Sequence, residues 1–140
     1  MKVKSIKINN DIYIRALDKN KFRMFRKAKN TVIGDMYVNY RNDLYIADLE
    51  IVKSERRKGY GKLFLDFAKN LSKKHGLNGR LRVLAGIKIS DTSNPSHIFY
   101  RKYGFTTDNK QVLNAIDRGI KTGSQLDYML VPPVYMYYQP

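Results

Sequence analysis

The stretch "RRKGYGKLFLDFAKNLSKKHG", residues 56–76, predicts a helix that begins at a basic, glycine-containing turn. Its apolar side chains recur at the three- and four-residue spacing of a helix face, which includes Tyr60, Phe64, Phe67 and Leu71. His75 falls in the last turn, and Gly76 is typical of the residue that ends a helix. The spacing of apolar residues therefore changes here from that of a strand to that of a helix.

The start of this helix has the features of an anion site. A helix N-terminus presents backbone N–H groups without intrahelical partners and carries a partial positive charge, so it can hold a phosphate group. Gly59 and Gly61 leave room for a pyrophosphate to approach the backbone. Further positive charge comes from Arg57, Lys58 and Lys62. As a motif this pattern is weak, and the alternative is a basic surface turn without a ligand.

The segments on either side of the helix predict a sheet. Residues 31–41 and 44–52 alternate apolar and polar side chains and are separated by a turn signal at Asn42-Asp43, so they predict an antiparallel hairpin. Residues 80–87 form a short apolar run after the helix. A strand, a helix and a further strand in this order imply a right-handed parallel crossover.

The rest of the chain adds strands and two shorter helices. Residues 3–8, 11–17 and 134–138 are predicted strands, the last entered through Pro132-Pro133. One helix is expected after Asn94 and Pro95, which suit its N-cap and first positions, and Gly104 ends it. A second helix is expected over 111–118, stopped by Gly119. For the basic segment 19–29 the pattern leaves strand and short helix both open.

Together these elements predict a single α/β (α+β) domain over residues 1–140. Its sheet would be mixed and largely antiparallel, with about six or seven strands and flanking helices. The length of 140 residues suits one domain with a core of its own.

Composition excludes several classes of function. The chain has no cysteine, which excludes disulfides and cysteine nucleophiles and favours a cytoplasmic protein. It has two histidines without metal-site spacing, so we expect no catalytic metal. No apolar run approaches the ~20 residues that span a bilayer, and the N-terminus lacks a secretory signal.

The net charge of +15 predicts attraction to polyanions. This charge would suit nucleic acid, an anionic membrane surface or a phosphate-rich cofactor as a partner. A general compositional bias towards lysine would also produce it.

A second motif lies downstream of the glycine-containing turn. Residues 93–105 read SNPSHIFYRKYGF, and they follow the glycine-containing turn at a distance of one helix and one strand. The order of the hairpin strand ending in Val52, the turn RRKGYG, the long helix, a strand and then YRKYGF resembles the GNAT superfamily of N-acetyltransferases. The resemblance covers about residues 44–105. The chain departs from the family in lacking a proline between Val52 and Arg56 and in having a short N-terminal part.

The resemblance implies that the chain moves an acetyl group from acetyl-CoA to an amine by direct attack in a ternary complex. Backbone N–H groups of residues 57–62 would hold the CoA pyrophosphate. Ile51 and Val52 would bind the pantetheine arm, and a backbone N–H near Val52 would stabilise the oxyanion. The residues expected to bind acetyl-CoA are Ile51, Val52, Arg57, Lys58, Gly59, Tyr60, Gly61, Lys62 and Asn94.

For catalysis, the resemblance implies that Tyr100 protonates the departing thiolate; the alternative is a tyrosine packed in the core. Glu50 is the proposed base, acting through water, and Asp48 shares its strand face. A solvated carboxylate is the alternative for both, and the reaction can also proceed without a fixed base. His97 is expected to be a surface histidine.

Rival hypotheses remain open at this point. The chain could be a basic nucleic-acid- or ribosome-binding protein, because aromatic residues lie among the cations of residues 19–29 and in the following strand. It could also be a GNAT enzyme acting on an RNA-borne amine, or a GNAT fold that binds CoA without catalysis. The aromatic tail at 134–138 would suit either a buried strand or a homodimer contact.

Overall fold

A computed structural model of the chain describes residues 5–86, 96–123 and 132–140. The chain divides after Gly79 into two compact units, which we describe separately. The expectation of one domain over residues 1–140 stays a prediction.

The first unit is an antiparallel sheet of five strands, each paired with the next in the sequence. One long helix, α1, follows the last strand. The strands are β1 (Ser5–Lys7), β2 (Ile12–Ala16), β3 (Lys21–Arg26), β4 (Thr31–Tyr40) and β5 (Leu44–Ile51), and α1 covers Tyr60–Lys74. Short 3-10 turns lie at Ala28–Asn30 and Lys53–Glu55.

The inner face of this sheet packs against α1. Alternate residues of the strands point to this face and are buried, while α1 contributes Phe64, Leu65, Phe67 and Ala68. Phe22 of β3 meets Phe67 of α1 edge to face, with 5.1 Å between ring centroids. The helical spacing noted in the sequence thus marks the face that covers the sheet.

The basic segment 19–29, left open by the sequence, contains strand β3. Phe22 and Met24 are buried in the core, and the alternating residues Lys21 and Arg23 lie on the opposite, outer face. Two-residue alternation of this kind forms a strand with one apolar and one basic face.

The predicted hairpin of 31–41 and 44–52 is confirmed as β4 and β5. At Gly34 of β4 there is no room for a side chain, because a Cβ there would lie 2.4 Å from the Glu50 carbonyl oxygen. Strand β5 therefore approaches β4 more closely at Gly34 than a side chain would allow.

The predicted end of α1 is also confirmed. Gly76 has a φ of 75°. The Leu77 N–H donates to the Ser72 carbonyl at 2.9 Å, which closes the helix with a left-handed glycine.

The described residues of the second unit form two antiparallel strands and two helices. These are β6 (Leu81–Ala85), α2 (Ser96–Tyr103), α3 (Lys110–Thr122) and β7 (Val134–Tyr138). Val83, Phe105, Ile116 and Met136 are buried in its core. Gly104 follows α2 as predicted, whereas Asn94 and Pro95, the predicted start of that helix, lie outside the described residues.

The prediction that Gly119 stops the last helix is wrong. Gly119 is buried within α3, and the helix continues to Thr122. Gly123, with a φ of 68°, is the residue that ends it. At the other end, the Asn109 side chain accepts a hydrogen bond from the Val112 N–H at 3.1 Å and caps the helix.

Candidate functional site

The turn between β5 and α1 is built to present backbone N–H groups. Arg57 has a φ of 64° and Gly59 a φ of 84°, so two left-handed residues flank Lys58. Gly59 is the N-cap of α1 and provides no side-chain cap, and the first turn of the helix contains no acidic residue. Turns with alternating backbone handedness and helix N-termini both form concave anion sites.

One acidic residue does lie in this basic turn, and it is buried. Glu55 is 7% exposed and forms an ion pair with Arg26, whose two terminal nitrogens each contact one carboxylate oxygen. Lys58 adds a longer contact to Glu55 at 3.4 Å. The hydrogen bond with Arg26 is the main cause that lowers the pKa of Glu55 below its ordinary value.

Arg26 also reaches the helix. Its guanidinium donates to the Tyr60 hydroxyl at 3.1 Å, so β3, the 3-10 turn and the first residue of α1 are joined in one network. Sequence reasoning missed this pair because 29 residues separate Arg26 from Glu55. The signal available in the sequence was a single glutamate among the cations of the turn.

The hydrogen bonds at the end of β5 limit which backbone N–H group near Val52 can donate to a ligand. The Val52 N–H donates to the Ile33 carbonyl of β4 at 2.8 Å, so the Val52 N–H is already used within the sheet. This bond makes Gly34 and Ile51 a non-hydrogen-bonded pair, in which the N–H of Ile51 points away from β4. The N–H near Val52 that remains directed away from β4 is therefore that of Ile51.

Two further contacts hold the turn after β5. The Arg56 side chain donates from Nε to the Ile51 carbonyl at 2.9 Å. The Glu55 N–H donates to the Val52 carbonyl at 2.8 Å. Both carbonyls are therefore already engaged within the turn.

The proposed base, Glu50, lies on the outer face of the sheet together with Asp48. In the register of β4 and β5, Glu50 is opposite Asp35 and Asp48 is opposite Tyr37. Both Glu50 and Asp48 are exposed. The predicted sharing of one face is confirmed, and both carboxylates are exposed to solvent.

Tyr100 belongs to the second unit. It is 6% exposed, and its ring packs edge to face with Phe99 and Phe105 at centroid distances of 5.1 and 5.2 Å. This packing fixes the orientation of the ring. Asn94, the remaining predicted acetyl-CoA contact, lies outside the described residues.

The expectation that His97 lies on the surface is wrong. His97 is fully buried in α2, because the helix turns this side chain towards the core of the second unit. Its Nε2 lies 3.1 Å from the Pro132 carbonyl and donates to it, while Nδ1 has no hydrogen-bond partner among the described residues. Burial lowers the pKa of His97 below its ordinary value.

Comparison with known proteins places the chain in a family. The model of the acetyltransferase (GNAT) domain matches residues 20–107. The chain belongs to the GNAT acetyltransferase family. It is also 31% identical over 111 residues to the uncharacterized N-acetyltransferase YhdJ of Bacillus subtilis (strain 168), which covers 71% of this chain and 75% of that protein.

Solved structures share the fold of this family member. Nourseothricin acetyltransferase matches with a TM-score of 0.55 and 19% identity over 91% of this chain. PaiA N-acetyltransferase from Thermoplasma acidophilum, solved in complex with coenzyme A, matches with a TM-score of 0.56 and 18% identity over 86% of this chain. The matches cover 65% and 62% of those chains, respectively. The predicted GNAT-like α/β fold class, with six to seven strands, is confirmed by these matches and by the seven strands that the described residues form.

The described residues contain neither a helix that could cross a membrane nor a cluster of metal-binding side chains. None of the helices in 5–86, 96–123 and 132–140 has the length and apolar character needed to cross a membrane. In the same ranges, no three histidine, aspartate or glutamate side chains converge to hold a metal ion.

Proposed function

We propose that this GNAT family member is an acetyl-CoA-dependent N-acetyltransferase that binds the pyrophosphate of acetyl-CoA at the turn before α1. The observation that carries the proposal is the uncapped N-terminus of α1 behind the left-handed Gly59. A pyrophosphate would accept hydrogen bonds from the first-turn N–H groups and would complement the partial positive charge of the helix. Membership in the acetyltransferase family supports the same ligand.

The charge of the turn suits this ligand. Arg57, Lys58 and Lys62 are exposed around the helix start, and the one carboxylate of the turn, Glu55, is neutralised by Arg26. An uncompensated carboxylate at this place would repel a pyrophosphate, so the ion pair preserves the positive field of the turn.

Three further groups have proposed roles in the reaction, for which acetyl-CoA supplies the acetyl thioester. The N–H of Ile51 donates to the acetyl oxygen as negative charge develops on it. Glu50, with Asp48 beside it on the exposed face, removes a proton from the acceptor ammonium through water. The hydroxyl of Tyr100 returns a proton to the departing thiolate.

Acetyl-CoA turnover with free thiol as the readout tests this proposal. Four classes of acceptor are compared: small amines, peptide N-termini, lysine side chains and aminoacyl-tRNA. We expect thiol release with at least one class. Release with none of the four, combined with unchanged thermal stability in saturating CoA, would contradict the proposal.

The role of Tyr100 is tested by Tyr100→Phe, which keeps the ring contacts with Phe99 and Phe105. We expect turnover to fall by about 10²-fold or more, the usual contribution of general acid catalysis, with CoA affinity nearly unchanged. Tyr103→Phe, on the same helix, is the matched control. Equal turnover in the wild type and Tyr100→Phe would end the assignment.

A further inference from the structure

The cations of the segment 19–29 divide into two groups once their partners are known. Arg26 binds Glu55 beside the α1 turn, and Arg23 binds Asp35 with Nε to Oδ1 at 2.8 Å. Lys19, Lys21, Lys27 and Lys29 have no carboxylate within ion-pair distance in the part of the chain that the structure describes. Two of these uncompensated cations, Lys19 and Lys21, therefore lie at the end of the sheet where β3 begins.

A cleft opens at that end of the sheet. Its volume is about 760 Å³, and it lies between the turn that joins β2 to β3 and the turn that joins β4 to β5. The residues that line it are Lys19, Asn20, Asn39, Tyr40, Arg41 and Asn42. The lining thus combines two cations with three side-chain amides, which suits a ligand that carries both negative charge and hydrogen-bonding groups.

The walls of the cleft are held in place by the surrounding structure. The Asn20 amide donates to the Val38 carbonyl at 2.8 Å. The Tyr40 hydroxyl donates to the Lys19 carbonyl at 3.2 Å, and the Tyr40 ring stacks on His75 at 4.1 Å. The cleft is therefore formed before any ligand binds.

The outer face of the sheet continues the cleft. Tyr37 and Asn39 lie two residues apart in β4 and share this face, and Lys21 is opposite Tyr37 in β3. The Lys21 ammonium lies 4.9 Å from the centroid of the Tyr37 ring, which is 38% exposed. The Lys21 ammonium thus lies over one face of a partly exposed aromatic ring next to the cleft.

Arg15 extends this surface across β2. Its guanidinium carbon lies 5.4 Å from the Phe25 centroid and 5.8 Å from the Tyr13 centroid. Its Nε is buried and lacks a hydrogen-bond partner within the described residues. Arg15 is opposite Arg23 in the register. Because Asp35 already neutralises Arg23, the uncompensated charge is that of Arg15.

We propose that the cleft and the outer face beside it bind single-stranded nucleic acid, through Arg15, Lys19, Lys21, Tyr37 and Arg41. The four cations would neutralise successive phosphates. Tyr37 would stack a base, and the amides of the cleft would bond to base edges or sugars. Carboxylates beside this surface are Asp18, whose side chain accepts from the Asn20 N–H, Asp43, which follows Asn42 in the turn that lines the cleft, and Asp48, opposite Tyr37.

This surface is separate from the proposed acetyl-CoA site. Strand β5 begins at Leu44 beside the cleft and ends at Ile51 beside the α1 turn, so the two sites lie about 23 Å apart along the strand. Nucleic acid bound in the cleft would therefore leave the pyrophosphate turn open. This proposal does not depend on the proposed acetyltransferase activity, because the two sites use different residues.

The test measures fluorescence anisotropy of a labelled single-stranded oligonucleotide over a series of salt concentrations. We expect the triple variant Lys19→Gln, Lys21→Gln, Arg41→Gln to bind at least about tenfold more weakly, with a salt slope smaller by about 2, since each contact to single strands contributes about 0.7. The control variant Lys102→Gln, Lys110→Gln, Lys121→Gln removes the same charge from exposed positions of α2 and α3. It should bind almost as the wild type does.

A second pair of variants tests stacking. Tyr37→Ala should weaken binding without changing the salt slope, because it removes a ring and no charge. Tyr135→Ala is the matched control. Tyr135 lies on β7 and is 45% exposed, and the guanidinium carbon of Arg82 lies 5.3 Å from the centroid of its ring. We expect this control to bind as the wild type does, and circular dichroism melting confirms that the variants are folded.

Several results would overturn the proposal. They are no binding by the wild type, equal losses in the two triple variants, or displacement of the oligonucleotide by saturating CoA. Vesicles of phosphatidylserine and phosphatidylcholine provide a further arm. Binding of these vesicles that is as tight as that of the oligonucleotide, and as sensitive to the cleft variant, would assign the surface to membranes instead.

Discussion

Arg26 in β3 binds Glu55, a buried carboxylate in the turn that precedes α1. A strand of the sheet thereby fixes the segment whose backbone we propose to hold the pyrophosphate. The pair also removes a negative charge from the anion site, so it serves both geometry and electrostatics. The residues that shape the turn therefore include a strand residue that is distant in sequence.

Breaking this pair should weaken CoA binding. In Arg26→Gln the Glu55 carboxylate loses its main partner, and we expect the Kd for CoA to rise by about tenfold, equivalent to 1.4 kcal/mol. The double variant Arg26→Gln, Glu55→Gln should recover part of this loss because the uncompensated charge is gone. Calorimetric titration with CoA provides the measurement.

Arg23→Gln is the matched control for the pair. Arg23 lies in the same strand and also binds a carboxylate, but on the outer face. Its CoA affinity should stay near that of the wild type. If Arg23→Gln and Arg26→Gln weaken CoA binding equally, the loss reflects general destabilisation of β3 and not the turn.

Gly59 and Gly123 should show equal backbone strain when replaced by alanine. Both have a left-handed φ, 84° and 68°, and a Cβ at either position would meet no atom within 4 Å. We expect each variant to lose about 1–2 kcal/mol of unfolding free energy from conformation alone. Urea denaturation measures both losses, and a Gly59→Ala loss far above that of Gly123→Ala would point to a clash absent from the structure.

Gly34→Ala should destabilise the first unit through close contact. The added Cβ would lie 2.4 Å from the Glu50 carbonyl oxygen and 3.1 Å from the Ile51 Cα, so β4 and β5 would have to separate. We expect a loss of about 2–3 kcal/mol, as in overpacked cores. Gly86→Ala, whose Cβ would meet its nearest atom at 3.8 Å, is the control and should change stability by under about 0.5 kcal/mol.

Much of this fold follows from the sequence because its signals are local. The period of α1, the hairpin of β4 and β5 and the tail strand β7 depend on neighbouring residues, and the structure reproduces them within a few positions. The stop at Gly119 was wrong because a glycine within a helix looks the same whether it ends the helix or packs against a neighbour. Only Gly123 has the left-handed backbone.

The contacts of the site were harder to predict from the sequence because they join residues that are far apart along the chain. The pairing of Arg26 with Glu55 and the use of the Val52 N–H by Ile33 depend on strand register, which a motif does not encode. The burial of His97 depends on which face of α2 meets the core of the second unit. The family motif located the turn, and the structure identified what holds it.

The stability of the second unit should depend on the protonation of His97. Burial lowers the pKa of His97 below 6.5, so the unfolded chain binds the proton more readily than the folded chain. The contribution of this group is complete above pH 6.5 and declines as the pH falls below that value. Urea denaturation between pH 7.5 and pH 5 should show this decline in the wild type.

The two histidines of the chain provide the control for that measurement. His97→Gln keeps a donor for the Pro132 carbonyl but cannot be protonated, so its stability should depend less on pH. His75→Gln, at an exposed position, should retain the wild-type slope. If His75→Gln flattens the profile and His97→Gln does not, the assignment to His97 is wrong.

The most direct test of the pyrophosphate site compares CoA with pantetheine, which lacks the pyrophosphate together with the 3′-phosphoadenosine attached to it, in calorimetric titrations of the wild type, Gly59→Ala and Gly123→Ala. We expect the wild type and Gly123→Ala to prefer CoA by about tenfold or more. In Gly59→Ala the preference should shrink because CoA affinity falls while pantetheine affinity is retained. An unchanged preference for CoA in Gly59→Ala, or no preference in the wild type, would contradict the site at the start of α1.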